Sequence, residues 1–426
     1  MTKSNNTKKD QLIPISIIAV LFFIFGFVTW LNATLIPYLK IACELSNFEA
    51  YLVTTAFYIS YFVMAIPSSW ILEKTGYKKG MALGLFVMAL GSLIFIPAAM
   101  TRVYQLFLAG LFVQGLGLSI LQTASNPYVT ILGPIESAAK RISIMGIANK
   151  IAGIISPIIL GAVVLKGTDK IVESLKSMSI SEKNLQLESL AERAINPYII
   201  MAIALVILAI LVKYSALPEI EETKNNEIDN LSTFKKLKIA LSIPYLVLGF
   251  FAIFFYVGAE VISVDTLGLY GKALGYEIEE AKFFASFTLF AMLIGYVFGI
   301  IAIPKFIKQE IALKYFAILG IVFTALAIFT NGYVSILFIA CLGFANSIMW
   351  PAIWPLAING LNKFTKIGSA ILIMGIAGGA ILTPLFGVVS DISESMQNSY
   401  SLLIIFYLYI LFYAIKGHKI GRQSGV

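Results

Sequence analysis

The chain has 426 residues, 59% of them hydrophobic and 13% charged, with a mean hydropathy of +0.89. So few polar residues do not cover the surface of a globule this large, which excludes a water-soluble protein. The net charge of +8 is read as a topology signal and not as a nucleic-acid footprint, because the basic residues cluster in short loops between apolar stretches.

Apolar windows long enough to cross a ~30 Å hydrocarbon core fall near 14–36, 50–72, 80–99, 104–132, 142–165 and 194–217. A second set falls near 243–270, 281–303, 311–330, 333–360, 367–389 and 399–416. Numbered 1 to 12, these spans predict an all-α membrane protein. Residues 1–11 are polar and the first apolar run is long, without a small-residue cleavage site, so it reads as a retained helix.

The loops set the orientation. With a cytoplasmic N-terminus, the inner segments hold Lys3, Lys8, Lys9, Lys74, Lys78, Lys79, Lys140, Arg141, Lys305, Lys308, Lys314, Lys363 and Lys366. Roughly 21 basic residues then lie inside and about 9 outside, as the positive-inside rule requires, and both termini are expected in the cytoplasm. Several of the outer ones belong to the polar segment 166–193, which is expected to hold a short surface helix.

Residues 218–242 run from acidic (Glu219, Glu221, Glu222) to basic (Lys235, Lys236, Lys238), the one clear composition break. This reads as a cytoplasmic linker between an N-terminal six-helix bundle, 1–217, and a C-terminal one, 243–426. The halves echo each other: Ile144-Met145-Gly146-Ile147-Ala148 recurs as Ile373-Met374-Gly375-Ile376-Ala377, followed by Pro157 and Pro384 respectively. Matching positions in equivalent spans imply an internal duplication around a central cavity.

Polar groups inside the spans are the functional candidates, because each costs free energy in hydrocarbon unless something meets it. Span 1 carries Thr29, Trp30, Asn32 and Thr34 before Pro37, with Asn32 expected to face the cavity. Span 4 has Ser119, Gln122 and Asn126 at i, i+3 and i+7, on one helical face ahead of Pro127. A carboxamide offers two donors and an acceptor, the mix that an array of sugar hydroxyls demands.

Span 5 adds Asn149 and Lys150. Lys150 lies too deep to snorkel easily, and three roles stay open for it: an ion pair with an acidic residue such as Glu260, a contact to substrate, or a stand-in for a bound cation. Span 7 presents Tyr256, Glu260 and Ser263 on one face, with Asp265 further out. An intramembrane carboxylate must be protonated, paired or hydrated, so Glu260 is the candidate for coupling to a cation. Span 10 holds Asn346, Trp350 and Trp354 at i, i+4 and i+8, with Pro351 and Pro355 expected to break the helix. Indole rings give a flat apolar platform for the C–H face of a pyranose.

Cys43 and Cys341 lie far apart, which argues against a disulfide framework. The single His418 sits in the polar tail, which argues against histidine chemistry or a metal site in the membrane. With no paired carboxylates and no cysteine cluster either, a membrane enzyme is excluded.

The chain resembles the major facilitator superfamily, in particular its bacterial fucose and glucose/galactose symporters. The resemblance rests on Phe25-Gly26-Phe27 through Leu31-Asn32, Ile36-Pro37-Tyr38-Leu39, Gly76-Tyr77-Lys78-Lys79-Gly80, Leu121-Gln122 and Asn126-Pro127-Tyr128. It continues with Tyr256-Val257-Gly258-Ala259-Glu260 and Asn346-Ser347-Ile348-Met349-Trp350-Pro351. It implies two pseudo-symmetric six-helix bundles, rocker-switch alternating access, a monomer in the cell inner membrane, and hexose import driven by a cation gradient. Four positions depart from the fucose carriers: Ala33 replaces an Asp, Gln122 replaces a Glu, and Gly146 and Lys150 stand where a Gln and a small residue are usual. These departures leave Glu260, Na⁺, or no coupling at all.

The leading expectation is a secondary transporter for a hexose or N-acetylhexosamine, without cofactor other than H⁺ or Na⁺. Its sugar would be held by Asn32, Gln122, Asn126, Asn149, Asn346, Tyr256, Trp350 and Trp354, with Lys150 as a further contact. The alternatives are a carrier of an acidic sugar or organic anion with Lys150 as counter-charge, and a non-transporting sugar sensor on the same fold.

Overall fold

The computed structural model describes residues 8–131, 138–175, 177–215, 217, 233–303, 306–361 and 364–422. Most of the linker, Lys3, Lys305 and Lys363 lie outside the described residues, as do the side chains of Lys8, Lys9, Asn126, Pro127, Lys140, Arg141 and Lys366. Among the described residues there are helices and turns and no strand.

Among the described residues, twelve helices are long and apolar enough to cross a membrane. Spans 1 to 6 are Pro14–Ala42, Asn47–Ser68, Lys74–Thr101, Tyr104–Ser125, Ile144–Val164 and Ile180–Tyr214. Spans 7 to 12 are Pro244–Asp265, Ile278–Ala302, Gln309–Phe329, Gly332–Ile358, Ala370–Ser393 and Met396–Ile415. In lipid every backbone polar group must be satisfied within the chain, so apolar runs of this length become helices whatever their side-chain propensities.

Breaks within the spans have local causes. Span 10 stops at Ile348 and restarts at Met349. Pro351 has no N–H for the carbonyl of Ser347 and its ring crowds that carbonyl, so the ladder parts one turn ahead of the proline. Pro355, expected to break the helix as well, lies inside the continuing helix Met349–Ile358. Spans 2 and 3 run together as Asn47–Thr101 except at Gly76, whose φ of 75° turns the chain between them. Ser46 and Glu49 form a capping box at the start of span 2, and Ser179 and Glu182 form one at Ile180.

Two differences from expectation concern segment 166–193 and the tail. Segment 166–193 holds two helices, Thr168–Ser174 and Ile180–Glu192, and the second runs on into span 6. His418 is buried, not solvated: its Nδ1 lies 2.9 Å from the carbonyl oxygen of Tyr413, under the last helix.

Spans 1 to 6 pack mainly on one another, as do spans 7 to 12, and the two sets meet where span 2 lies on span 11 and span 5 on span 8. Equivalent close approaches recur in the two sets. A Cβ on Gly115 of span 4 would lie 2.1 Å from Ser60 Oγ of span 2, and one on Gly343 of span 10 would lie 1.9 Å from the Thr288 carbonyl oxygen of span 8. Spans 4 and 10, like spans 2 and 8, are six apart, so both halves use glycine to seat the same helix pair.

Candidate functional site

Where the halves meet, Lys150 of span 5 donates to Glu260 Oε1 of span 7 at 2.9 Å. Their side chains are only 7% and 11% exposed. Desolvating two charges is costly, and mutual attraction at this distance offsets it only when further contacts hold the geometry. Here the Lys150 ammonium also lies 4.3 Å from the Trp30 ring centroid, a cation–π contact from span 1. Tyr256, one helical turn before Glu260, lies within its field, as do Tyr296 and Tyr407. Of the three roles open to Lys150, the ion pair with Glu260 is the arrangement present.

Around this pair the candidates divide into two groups. Gln122 is half-buried, and its side-chain N–H donates to the Tyr61 hydroxyl of span 2 at 2.9 Å. Half-buried Asn149 donates weakly to the Phe22 carbonyl at 3.4 Å, leaving its amide oxygen uncommitted to any described donor. Trp350 and Trp354 stack at 5.3 Å between ring centroids and 22° between planes, both half-buried, and Tyr256 meets Trp350 at 6.3 Å. These residues give partly accessible amide, hydroxyl and indole groups.

The second group is spent on helix packing. Asn346 is fully buried; it donates to Ser263 Oγ at 3.3 Å and accepts from the Tyr407 hydroxyl at 2.9 Å. Both ends of its amide are thus committed to spans 7 and 12. Asn32 fits neither group: it is fully buried just after the turn at Leu31, and neither end of its amide has a hydrogen-bond partner among the described residues. The Asn126 side chain is outside the described residues.

Sequence reasoning passed over Tyr58 and Tyr61, whose rings stack at 6.3 Å. Their signal was available: two hydroxyls at i and i+3 on one face of an apolar span. It also passed over the contacts that seal one face. Asp169 accepts from Lys272 Nζ at 2.6 Å and from the Glu279 backbone N–H at 3.1 Å, while Glu279 accepts from the Gly167 N–H. Asp391 of span 11 accepts from Asn47 Nδ2 at 2.6 Å and from the Phe48 N–H at 3.1 Å, capping the positive end of span 2 from the other half. Deeper in, Thr55 donates to the Ala380 carbonyl, Lys282 to that of Gly161 and Ser286 to that of Ile154. Every described hydrogen bond between the halves lies at mid-membrane or toward the face opposite the termini.

A polytopic helical protein of two related six-span sets, joined at a polar centre and sealed at one face, is a membrane carrier in architecture. Residues 18–384 match the Major Facilitator Superfamily, and the chain belongs to that family. It is 34% identical over 418 residues to the glucose/galactose transporter of Brucella abortus, covering 97% of this chain and 96% of that one. To the L-fucose-proton symporter of Escherichia coli it is 30% identical over 406 residues, 93% of this chain and 91% of that one. Among solved structures, a Major Facilitator Superfamily transporter, FucP, in the outward conformation aligns with a TM-score of 0.75 at 29% identity, covering 97% of this chain and all of that one. These relatives are transporters and not enzymes.

Proposed function

We propose that this chain is a secondary transporter that imports a neutral monosaccharide, a hexose of the glucose/galactose kind, across a bacterial inner membrane by alternating access. The observation that carries this reading is the half-accessible group of Gln122, Asn149 and the stacked Trp350 and Trp354 around a charge-neutral centre. Amides match sugar hydroxyls, and stacked indoles match the apolar face of the ring. The relatives' names, a glucose/galactose transporter and an L-fucose-proton symporter, support the substrate class.

In this reading the halves, residues 1–217 and 243–426, rock about the 218–242 linker with both termini in the cytoplasm, and the protein works as a monomer. The sealed face is then the outer one, so the conformation is inward-facing. Because Lys150 and Glu260 bridge the halves, the outward-facing form parts or rearranges the pair, and a cation gradient drives the cycle. A neutral substrate is favoured over an acidic one because the Lys150 charge is already matched by Glu260.

The test is uptake into proteoliposomes across a panel of hexoses, deoxyhexoses, N-acetylhexosamines and hexuronates, with and without H⁺ and Na⁺ gradients. Saturable uptake of a neutral hexose, weakened by Trp350→Ala or Trp354→Ala, is the expected result. Uptake of hexuronate alone, or of no sugar under any gradient, would refute it.

A further inference from the structure

Span 7 holds a second carboxylate, and its surroundings differ from those of Glu260. Asp265, at the outer end of the span, is fully buried, and neither of its oxygens has a hydrogen-bond partner among the described residues. No described Lys or Arg forms an ion pair with it. It lies five positions after Glu260, roughly 7.5 Å along the helix axis. The titratable groups whose field it shares are Glu260 on its own helix and Tyr51 and Tyr58 on span 2, none of them cationic. Tyr400 of span 12 is turned to the neighbouring Thr266, at 2.7 Å.

An ionised carboxylate in such a place needs donors or a counter-charge, and a carboxylic acid needs neither, since its own O–H serves as a donor to a nearby carbonyl. Lys150 is already matched to Glu260, and Lys282, the other buried lysine among the described residues, donates to the Gly161 carbonyl at 3.4 Å and pairs with no described carboxylate, Asp265 included. Of the two carboxylates on span 7, Asp265 is therefore the one left without compensation when the outer face is sealed. It sits beneath the contacts that Asp391 and Asp169 make between the halves, so opening that face would bring water to it.

We infer that Asp265 is a proton-binding site of the transport cycle: it takes up a proton from the outer water while that face is open, and only the neutral acid is buried when the face closes. The proton then leaves to the cytoplasmic water by way of Glu260, the next carboxylate inward on the same helix, so that the face reopens on an ionised Asp265. The site takes a proton and not a sodium ion, because neutralisation by a proton needs no coordination shell. This rests on the transporter reading above, and it moves the coupling group from Glu260 to a residue that the usual carboxylates of the fucose carriers do not supply.

One arm of the test is independent of transport. Infrared difference spectra of the purified, lipid-reconstituted protein at neutral pH, taken between H₂O and D₂O, should contain the carbonyl band of a protonated carboxylic acid. Asp265→Asn should remove that band and Glu260→Gln should leave it. A wild type without the band, or a band unchanged in Asp265→Asn, overturns the inference. If Asp265→Asn does not fold, Asp265→Ser serves for the same comparison.

The second arm uses the sugar that the wild type carries. In sodium-free proteoliposomes, Asp265→Asn should lose accumulation driven by a pH gradient while sugar counterflow, which needs no proton cycle, persists. Retained proton-driven accumulation, or wild-type accumulation that requires Na⁺, overturns it. A wild type that moves no sugar would defeat the transporter reading and leave the infrared result to decide the proton site.

Discussion

Lys150 and Glu260 join the two halves through a single 2.9 Å ion pair buried in the middle of the membrane. Because each group neutralises the other, the consequences of removing one or both differ in size. Lys150→Met or Glu260→Gln alone strands a buried charge or a polar group, at a cost of about 3–5 kcal/mol when a buried pair is broken. Lys150→Met together with Glu260→Gln removes both charges and should recover most of that loss. Thermal unfolding of the three variants in detergent checks this, and a double variant as unstable as the worse single one would rule out the pairing.

At the sealed face, Asp169 and Lys272 are more exposed, 16% and 40% by side chain. Partial burial pushes the Asp169 carboxyl up, but the Lys272 ammonium and the backbone N–H groups of Ile278 and Glu279 outweigh it and hold the carboxyl below its usual range. A depressed folded value means that the latch contributes fully above the ordinary aspartate pKa of about 3.9 and is lost as pH falls through the folded value. An exposed pair of this kind contributes roughly 0.2–1 kcal/mol. Asp169→Asn should therefore shift the population toward the form open at this face by up to about fivefold at neutral pH. Acidifying the wild type below the ordinary aspartate range should begin the same shift. Distances between spin labels at Leu185 and Glu277 report it, and identical distributions for wild type and variant at neutral pH would count against the latch.

The sequence makes some of this architecture legible and hides the rest for physical reasons. Spans could be read because lipid demands apolar runs of fixed length, and Lys150 and Glu260 stood out because charge inside such a run calls for compensation. Asn346 and Ser263 stood out in the same way, yet the other partner of Asn346, Tyr407, did not, since a tyrosine among the aromatics of span 12 looks like core. Asp169, Lys272 and Asp391 were invisible for the opposite reason: they lie in or beside polar loops, where charge is ordinary, and pair only through the placement of one half on the other. Asp265 could be noticed as an acidic residue, but its lack of any partner is a property of the packed structure alone.

The Asn346 amide separates a packing role from a binding one. Tyr407→Phe deletes the hydroxyl that donates to Asn346 Oδ1 and leaves a buried acceptor unsatisfied, which costs about 1–3 kcal/mol. If the amide is committed to spans 7 and 12, Tyr407→Phe should lower the unfolding midpoint while the KM for the transported sugar stays within about twofold of the wild type. A KM raised without loss of stability would place Asn346 on the substrate instead.

The crossing of spans 1 and 5 beside the site yields a contrast between two glycines. At Gly26 an added Cβ would lie 1.9 Å from the Asn149 carbonyl oxygen, and because the obstacle is backbone, the helices themselves would have to separate. At Gly146, one turn away from Asn149 on span 5, the nearest atom would be Tyr296 Cε1 at 3.9 Å, an ordinary contact. Gly146→Ala should therefore be neutral or stabilising by up to about 1 kcal/mol, through the helix propensity of alanine. Gly26→Ala should destabilise by about 1–3 kcal/mol or more, the usual cost of overpacking, and should displace Asn149 and with it the adjacent Lys150. Monodisperse yield and thermal stability of the two variants in the same detergent measure the difference. If Gly26→Ala proved as stable as Gly146→Ala and transported sugar as well, the close crossing that aligns Asn149 and Lys150 with the centre would be wrong.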